Sequence, residues 1–152
     1  MFRRCLPVAL CLFAAFPAKA EPPCLQTQDQ NNCARVLACV GGDGAYFDGR
    51  SKGWNTGTVT GRMDDGTTCS GQWTARGPFG FGLATLICQD GVTAQAIYYY
   101  MDGLTGTAIG SGSTSDGRAI RIWSGQNVLR YLTPKGTVGA KLPCGANSIP
   151  VG

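Results

Sequence analysis

Of the nine carboxylates in this sequence, six stand immediately before a glycine, and there is no histidine to work with any of them. The six are Asp43, Asp48, Asp65, Asp90, Asp102 and Asp116. Asp before Gly is turn chemistry, because both residues tolerate the positive φ that a tight β-hairpin requires. Glu21 and Asp29 lie near the start of the chain, which leaves Asp64. A glycosidase needs two acids converging across a cleft, whereas Asp64 beside Asp65 reads as part of a bend. Without histidine, Ser-His-Asp and Cys-His nucleophiles and His-ligated zinc are excluded. "GGDGAYFDG" (41–49) is glycine-rich but lacks the Lys and the helix start of a phosphate loop, and Asp43 with Asp48 matches no calcium-loop spacing. No catalytic residue, metal or cofactor is expected, and the chain does not read as an enzyme.

What remains is contact chemistry. In "RAIRIW" (118–123) alternation puts Ala119, Arg121 and Trp123 on one face of a strand. Arg and Trp on one face read as a binding surface, since both types are enriched at interface hot spots; the plainer reading lays Arg121 over Trp123 as a cation–π cover. The stretch "GSGSTSDG" (110–117) just before it reads as a contact loop presenting Ser111, Ser113 and Thr114. In "IYYYM" (97–101) Tyr99 points away from Tyr98 and Tyr100, and is the exposed one if that pair packs inward.

These groups must be positioned by a domain that begins after an N-terminal leader. "MFRRCLPVALCLFAAFPAKA" (1–20) has Arg3 and Arg4, a short apolar run and Ala18-Lys19-Ala20. That is the form of a secretory signal peptide, too short in its core to span a membrane. Residues 21–152 then form a single exported β domain, periplasmic or secreted. Arg3, Arg4 and Lys19 leave with the signal, so ten Lys and Arg face nine Asp and Glu. The ten are scattered singly, which argues against nucleic acid as a partner. Six cysteines remain: Cys24, Cys33, Cys39, Cys69, Cys88 and Cys144. An even number in an exported small domain, with no C-x-x-C pair, reads as three disulfides.

The middle of the chain repeats with a period of about 25 residues. "GTVTGRMDDGTTCSGQW" (57–73), "GLATLICQDGVTAQAIY" (82–98) and "GTAIGSGSTSDGRAIRIW" (106–123) each read as strand, Asp-Gly turn, strand, then an aromatic residue; a fainter copy begins near Asp48-Gly49. If 74–80 reverses the chain, Trp73 faces Ala84, Gly71 faces Leu86 and Cys69 faces Cys88, which predicts a Cys69–Cys88 disulfide on the inner face. The other four cysteines tie the N-terminal segment to Cys144 in a pairing left open. The expected fold class is all-β: antiparallel repeated hairpins (ribbon, sandwich or small barrel) over 41–132, a disulfide-tied N-terminal segment over 21–40 with a short helix at 31–40, and a C-terminal tail over 133–152.

The stretch "SGQWTARGPFGFGLATLICQDG" (70–91) resembles the MORN repeat, with Gly71, Trp73, Gly77, Gly80, Gly82, Asp90 and Gly91 at matching positions. Cys69 stands where that family usually has Tyr. The resemblance covers about half of the residues after the signal and implies an open single-layer hairpin array used as a scaffold or interaction surface. The expected function is therefore a non-catalytic binding or structural module of the bacterial cell envelope. Its partner would be an envelope component or another exported protein, met through Arg121, Trp123, Tyr99 and the 110–117 loop. The alternative is a small inhibitor of an exported hydrolase, with that loop as its plug.

Overall fold

Eight strands follow one another along the chain: β1 (Cys33–Val40), β2 (Ala45–Trp54), β3 (Thr56–Met63), β4 (Thr68–Thr74), β5 (Gly82–Cys88), β6 (Thr93–Asp102), β7 (Thr107–Thr114) and β8 (Ala119–Ser124). The structure, a computed structural model, describes residues 24–102, 107–125 and 141–150. The expected signal segment, 1–20, lies outside the described residues. Each strand pairs antiparallel with the next, and β8 returns to β1, setting Val36 opposite Ser124, Ala38 opposite Ile122 and Val40 opposite Ile120. The result is a closed up-and-down barrel. An open hairpin ribbon would leave two free edges, and these eight strands leave none. The resemblance to a MORN array is overturned by this closure.

The segment expected as a helix over 31–40 is strand β1. Val36, Ala38 and Val40 line the lumen, while Leu37 and Cys39 pack on the outside under a separate hairpin of β9 (Lys141–Cys144) and β10 (Asn147–Pro150). A strand buried on both faces shows no polar alternation, so its apolar run is as compatible with two helical turns as with a strand. The hairpin is fastened by Cys39–Cys144; Cys24–Cys33 ties the chain before β1, and Cys69–Cys88 joins β4 to β5. Cys69 stands opposite Cys88, with Gly71 opposite Leu86 and Trp73 opposite Ala84.

The lumen is packed by small and medium side chains, among them Val36, Val59, Ala84, Ala96 and Ile122. Eight strands give an interior that side chains can just fill. Asp48-Gly49, expected to open a further hairpin copy, lies inside β2 instead. Asp48 faces outward between Arg35 (2.7 Å) and Arg50 (3.2 Å). Gly49 faces inward under the Phe47 ring, which also covers Gly61; a Cβ at either glycine would stand 2.5 Å from Phe47 Cζ.

The remaining described Asp-Gly turns, at Asp43, Asp65, Asp90 and Asp116, all fall at one rim, because alternate connections of an up-and-down barrel share an end. Three of the carboxylates tie their turns: Asp65 and Asp90 accept the backbone N–H of Thr67 and Val92, at 2.8 and 3.0 Å. Asp116 accepts from the Arg118 guanidinium (2.9 Å) and the Thr114 hydroxyl, which hold its carboxyl down at about 2. A folded-state value below the unfolded one, 3.8, means that the contribution is present above pH ~4 and lost as pH falls through ~2. Urea midpoints of the wild type and Asp116→Asn, compared across this range, should therefore differ most above pH ~4 and converge toward pH ~2.

Candidate ligand-binding site

At the rim opposite the Asp-Gly turns the lumen opens into a cavity of about 300 Å³, lined among others by Trp54, Val59, Trp73, Tyr98, Met101 and Ala108. Trp73 and Tyr98 are at the same depth for a reason of register. Each comes seven residues after a turn glycine, Gly66 or Gly91, and an odd step from that glycine points inward. Room for the two rings comes from glycine neighbours. Gly57 lies opposite Trp73, and Gly82 and Gly110 flank Tyr98. The Trp73 indole is fixed at its edge, where Nε1–H donates to the Lys52 carbonyl at 3.3 Å. Burial raises the Tyr98 phenol well above its ordinary value, so it stays neutral at any physiological pH.

A register shift between Tyr98 and Tyr100 places a bulge in β6. One extra residue reverses the facing of the rest of the strand, so Tyr98 points inward, Tyr99 outward, and Met101 turns back to the mouth of the cavity. Two polar side chains of the wall are already engaged. Asn32 donates to the Gly53 carbonyl (3.1 Å) and accepts from the Thr27 N–H (3.0 Å), and Ser51 donates to the Ala34 carbonyl (3.2 Å). Among the described residues no buried polar side-chain atom lacks a partner. The cavity therefore offers apolar and aromatic surface, with Arg76 and Asp102 at its edge.

A larger concavity, about 1,080 Å³, lies on the outer face of β2–β5. It is a solvent-open saddle in which Asp48 is already held by Arg35 and Arg50. Among the described residues no three His, Cys, Asp or Glu side chains are grouped to hold a metal ion.

The residues expected to form a contact surface are placed differently. Trp123 is 3% exposed, covered by Leu142, Cys144 and Ile149 of the C-terminal hairpin. Arg121 lies over it, Cζ 5.6 Å from the ring centroid, and donates to the Pro143 carbonyl at 3.3 Å. Trp123 thus belongs to an internal seam, and Arg121 stays exposed as a cation–π cover over it. The expected 110–117 loop is mostly strand β7: Ser111 and Ser113 are exposed on its outer face, and Thr114 is buried, its hydroxyl accepting from the Arg118 N–H at 3.0 Å. Tyr99 is exposed, on the outside of β6 near the cavity rim. Ser111 stands opposite Arg121, with Ser113 on the same outer face of β7 and Tyr99 on that of β6, whereas Trp123 and Thr114 are buried and do not join them. Trp54, Trp73, Tyr98 and Met101 come together at the cavity, and nothing in their sequence spacing marks them as ligand-binding.

No known family's sequence profile matches this chain, and no curated protein matches it significantly. Among solved structures it is similar to a de novo designed fluorescence-activating β-barrel, at 15% identity over 62% of this chain and 90% of that one (TM-score 0.49). Two redesigned β-barrels bound to DFHBI are similar to the same degree, at TM-score 0.49 each: mFAP0, with 17% identity over 64% of this chain and 98% of that one, and mFAP1, with 20% over 64% and 94%.

Proposed function

We propose that this chain is an exported, non-catalytic binding barrel that holds a small apolar molecule of about two rings in the open end of its lumen. The observation that carries this reading is the cavity bounded by Trp54, Trp73, Tyr98 and Met101, in whose wall Asn32 and Ser51 are already hydrogen-bonded. Such a pocket selects by shape and by aromatic contact. At about 300 Å³ it has twice the volume of roughly 150 Å³ that takes up one benzene. Export is supported by the form of residues 1–20 and by three disulfides, which persist in oxidising compartments. The absence of catalysis is supported by the lack of histidine and by a Tyr98 too weakly acidic to act as a base at neutral pH. The hydrolase-inhibitor alternative draws less support, since 110–114 of its plug loop is strand β7 and 115–117 is the exposed turn that follows.

The test uses 2-naphthol as the probe in equilibrium dialysis, with tryptophan fluorescence read in parallel. One saturable site is expected. Ala108→Leu, which fills the cavity from a lumen-facing position, should weaken binding at least tenfold while the protein still melts cooperatively. Non-saturable uptake, or equal binding by the filled variant, would remove the cavity from consideration.

A further inference from the structure

The rim that holds the cavity also carries apolar side chains for which the fold has no internal use. Between β4 and β5 the chain makes a 3₁₀ turn, Pro78–Gly80, and at its centre Phe79 is 96% exposed with φ +63°. That is the left-handed region, unfavourable for any residue but glycine and, to a lesser extent, asparagine or aspartate. A phenylalanine there gains nothing from burial and is poorly suited to the turn. Phe81 follows it, half exposed, and Ile97 and Tyr99 stand exposed on the outer face of the neighbouring β6, where Leu83 pairs with Ile97. Met101 is exposed at the cavity mouth beside them.

The two rims also differ in charge. The far rim gathers Asp43, Asp64, Asp65, Asp90 and Asp116, against Arg62 and Arg118. The open rim has Arg76 in the same connection as Phe79, and Lys52 near the end of β2. Among the described residues its acids are Asp102, which is partnered, and Asp29, which is bound within its own turn by Thr27 and Asn31. No acid stands in the 74–81 connection. The outer faces of β3 and β4 carry Thr58, Thr60, Arg62, Ser70 and Gln72, so this is not the apolar band of a membrane-spanning barrel.

We propose that the open rim docks on a lipid surface. Phe79 and Phe81 enter the boundary between headgroups and acyl chains, Arg76 meets the phosphates, and the acidic rim is turned away. A fluid surface suits a single aromatic tip that projects beyond its neighbours, whereas a rigid partner would need a pocket shaped to receive it. The arginine stem can lie along the apolar layer while its head stays with the phosphates. Docking in this orientation brings the mouth of the cavity to the bilayer. The proposal stands on the rim alone and is tested with no cavity ligand present.

The experiment is sedimentation of the oxidised protein with vesicles of phosphatidylethanolamine and phosphatidylglycerol in equal parts, and with phosphatidylcholine vesicles. The wild type is expected in the vesicle pellet, more strongly with the anionic lipid. Phe79→Asn suits the left-handed backbone and should leave the melting temperature unchanged or raised, yet weaken vesicle binding at least tenfold. Ile87→Ser removes another exposed apolar side chain, this one toward the acidic rim, and should leave binding unchanged. Arg76→Glu should remove the preference for anionic vesicles. A wild type that stays in the supernatant with both vesicles overturns the proposal, as does a Phe79→Asn variant that pellets like the wild type; capture of a soluble protein by the rim without vesicle binding counts against it equally.

Discussion

Replacing Cys39 and Cys144 together by serine is expected to destabilise the oxidised protein by about 4–5 kcal/mol and to bring Trp123 into water. The bond joins residues 105 apart in sequence, and constraining a loop of that length removes about 4.7 kcal/mol of unfolded-chain entropy. Cys24–Cys33 and Cys69–Cys88, at separations of 9 and 19, contribute about 3 kcal/mol each on the same basis. The long bond also has a structural duty that the short ones lack. An isolated two-stranded hairpin such as β9–β10 is marginal in water, and this one carries Leu142, Cys144 and Ile149 fully buried against Leu37 and Trp123. Once released, it should leave the outer faces of β1 and β8 uncovered. Trp123 emission should move to longer wavelength, and amide exchange should quicken in 36–40 and 120–124, while β3–β6 stay protected. The checks are urea unfolding and hydrogen exchange on the double variant. A loss below about 1 kcal/mol with Trp123 still shielded would mean that packing alone holds the hairpin, and that the bond is dispensable.

How far the sequence carried the fold is clearest in the aromatic residues that close its three repeats. Trp73 and Tyr98 each come seven residues after a turn glycine, but Trp123 comes six after Gly117. In a strand that single residue is the difference between the two faces. Trp73 and Tyr98 therefore meet in the lumen, and Trp123 lies outside. The parity was legible; what covers Trp123 was not, because Leu142 and Ile149 come from a hairpin remote in sequence. The β4–β5 register and its facing cysteines were legible for the opposite reason, since the reversal over 74–80 is local. Closure rests on residues 36–40 meeting residues 120–124, a pairing that no local pattern specifies, and a repeat with free edges has the same local sequence as one without. The bulge at Tyr99 was equally hidden. Strict alternation puts Tyr98 and Tyr100 on one face, and only the register shift returns Met101 to the cavity. The candidate site was missed because it is made by one end of several strands, and no two of its aromatic residues are neighbours in sequence.

The second large effect is expected from the smallest change in the barrel wall, Gly71→Ala, which should cost about 3 kcal/mol or more. Gly71 opposite Leu86 reads in the sequence as a small residue making room for a large one. The geometry gives another reason. A Cβ at Gly71 would stand 1.9 Å from the Thr85 carbonyl oxygen and 2.7 Å from Leu86 Cα, and both are backbone atoms of β5. No rotamer change relieves such a contact; β4 and β5 have to part, along the same ladder that carries Cys69–Cys88. Gly112 in β7 shows the same arrangement, its Cβ position 1.8 Å from the Gln95 carbonyl oxygen of β6. Inward glycines at which a neighbouring strand folds over the chain are how a small sheet coils tightly enough to close. Overpacking a core side chain costs about 1–3 kcal/mol because its neighbours can shift, and here the neighbour is main chain, so the upper end is the floor. Gly66→Ala is the matched control: its φ of +93° imposes a local backbone cost of about 1–2 kcal/mol, but nothing stands within 4 Å of its Cβ position. Urea midpoints should rank wild type, Gly66→Ala and Gly71→Ala in falling order, with Gly71→Ala/Gly112→Ala failing to fold. If Gly71→Ala lies within 1 kcal/mol of the wild type, the close approach of β4 and β5 is not what closes the barrel.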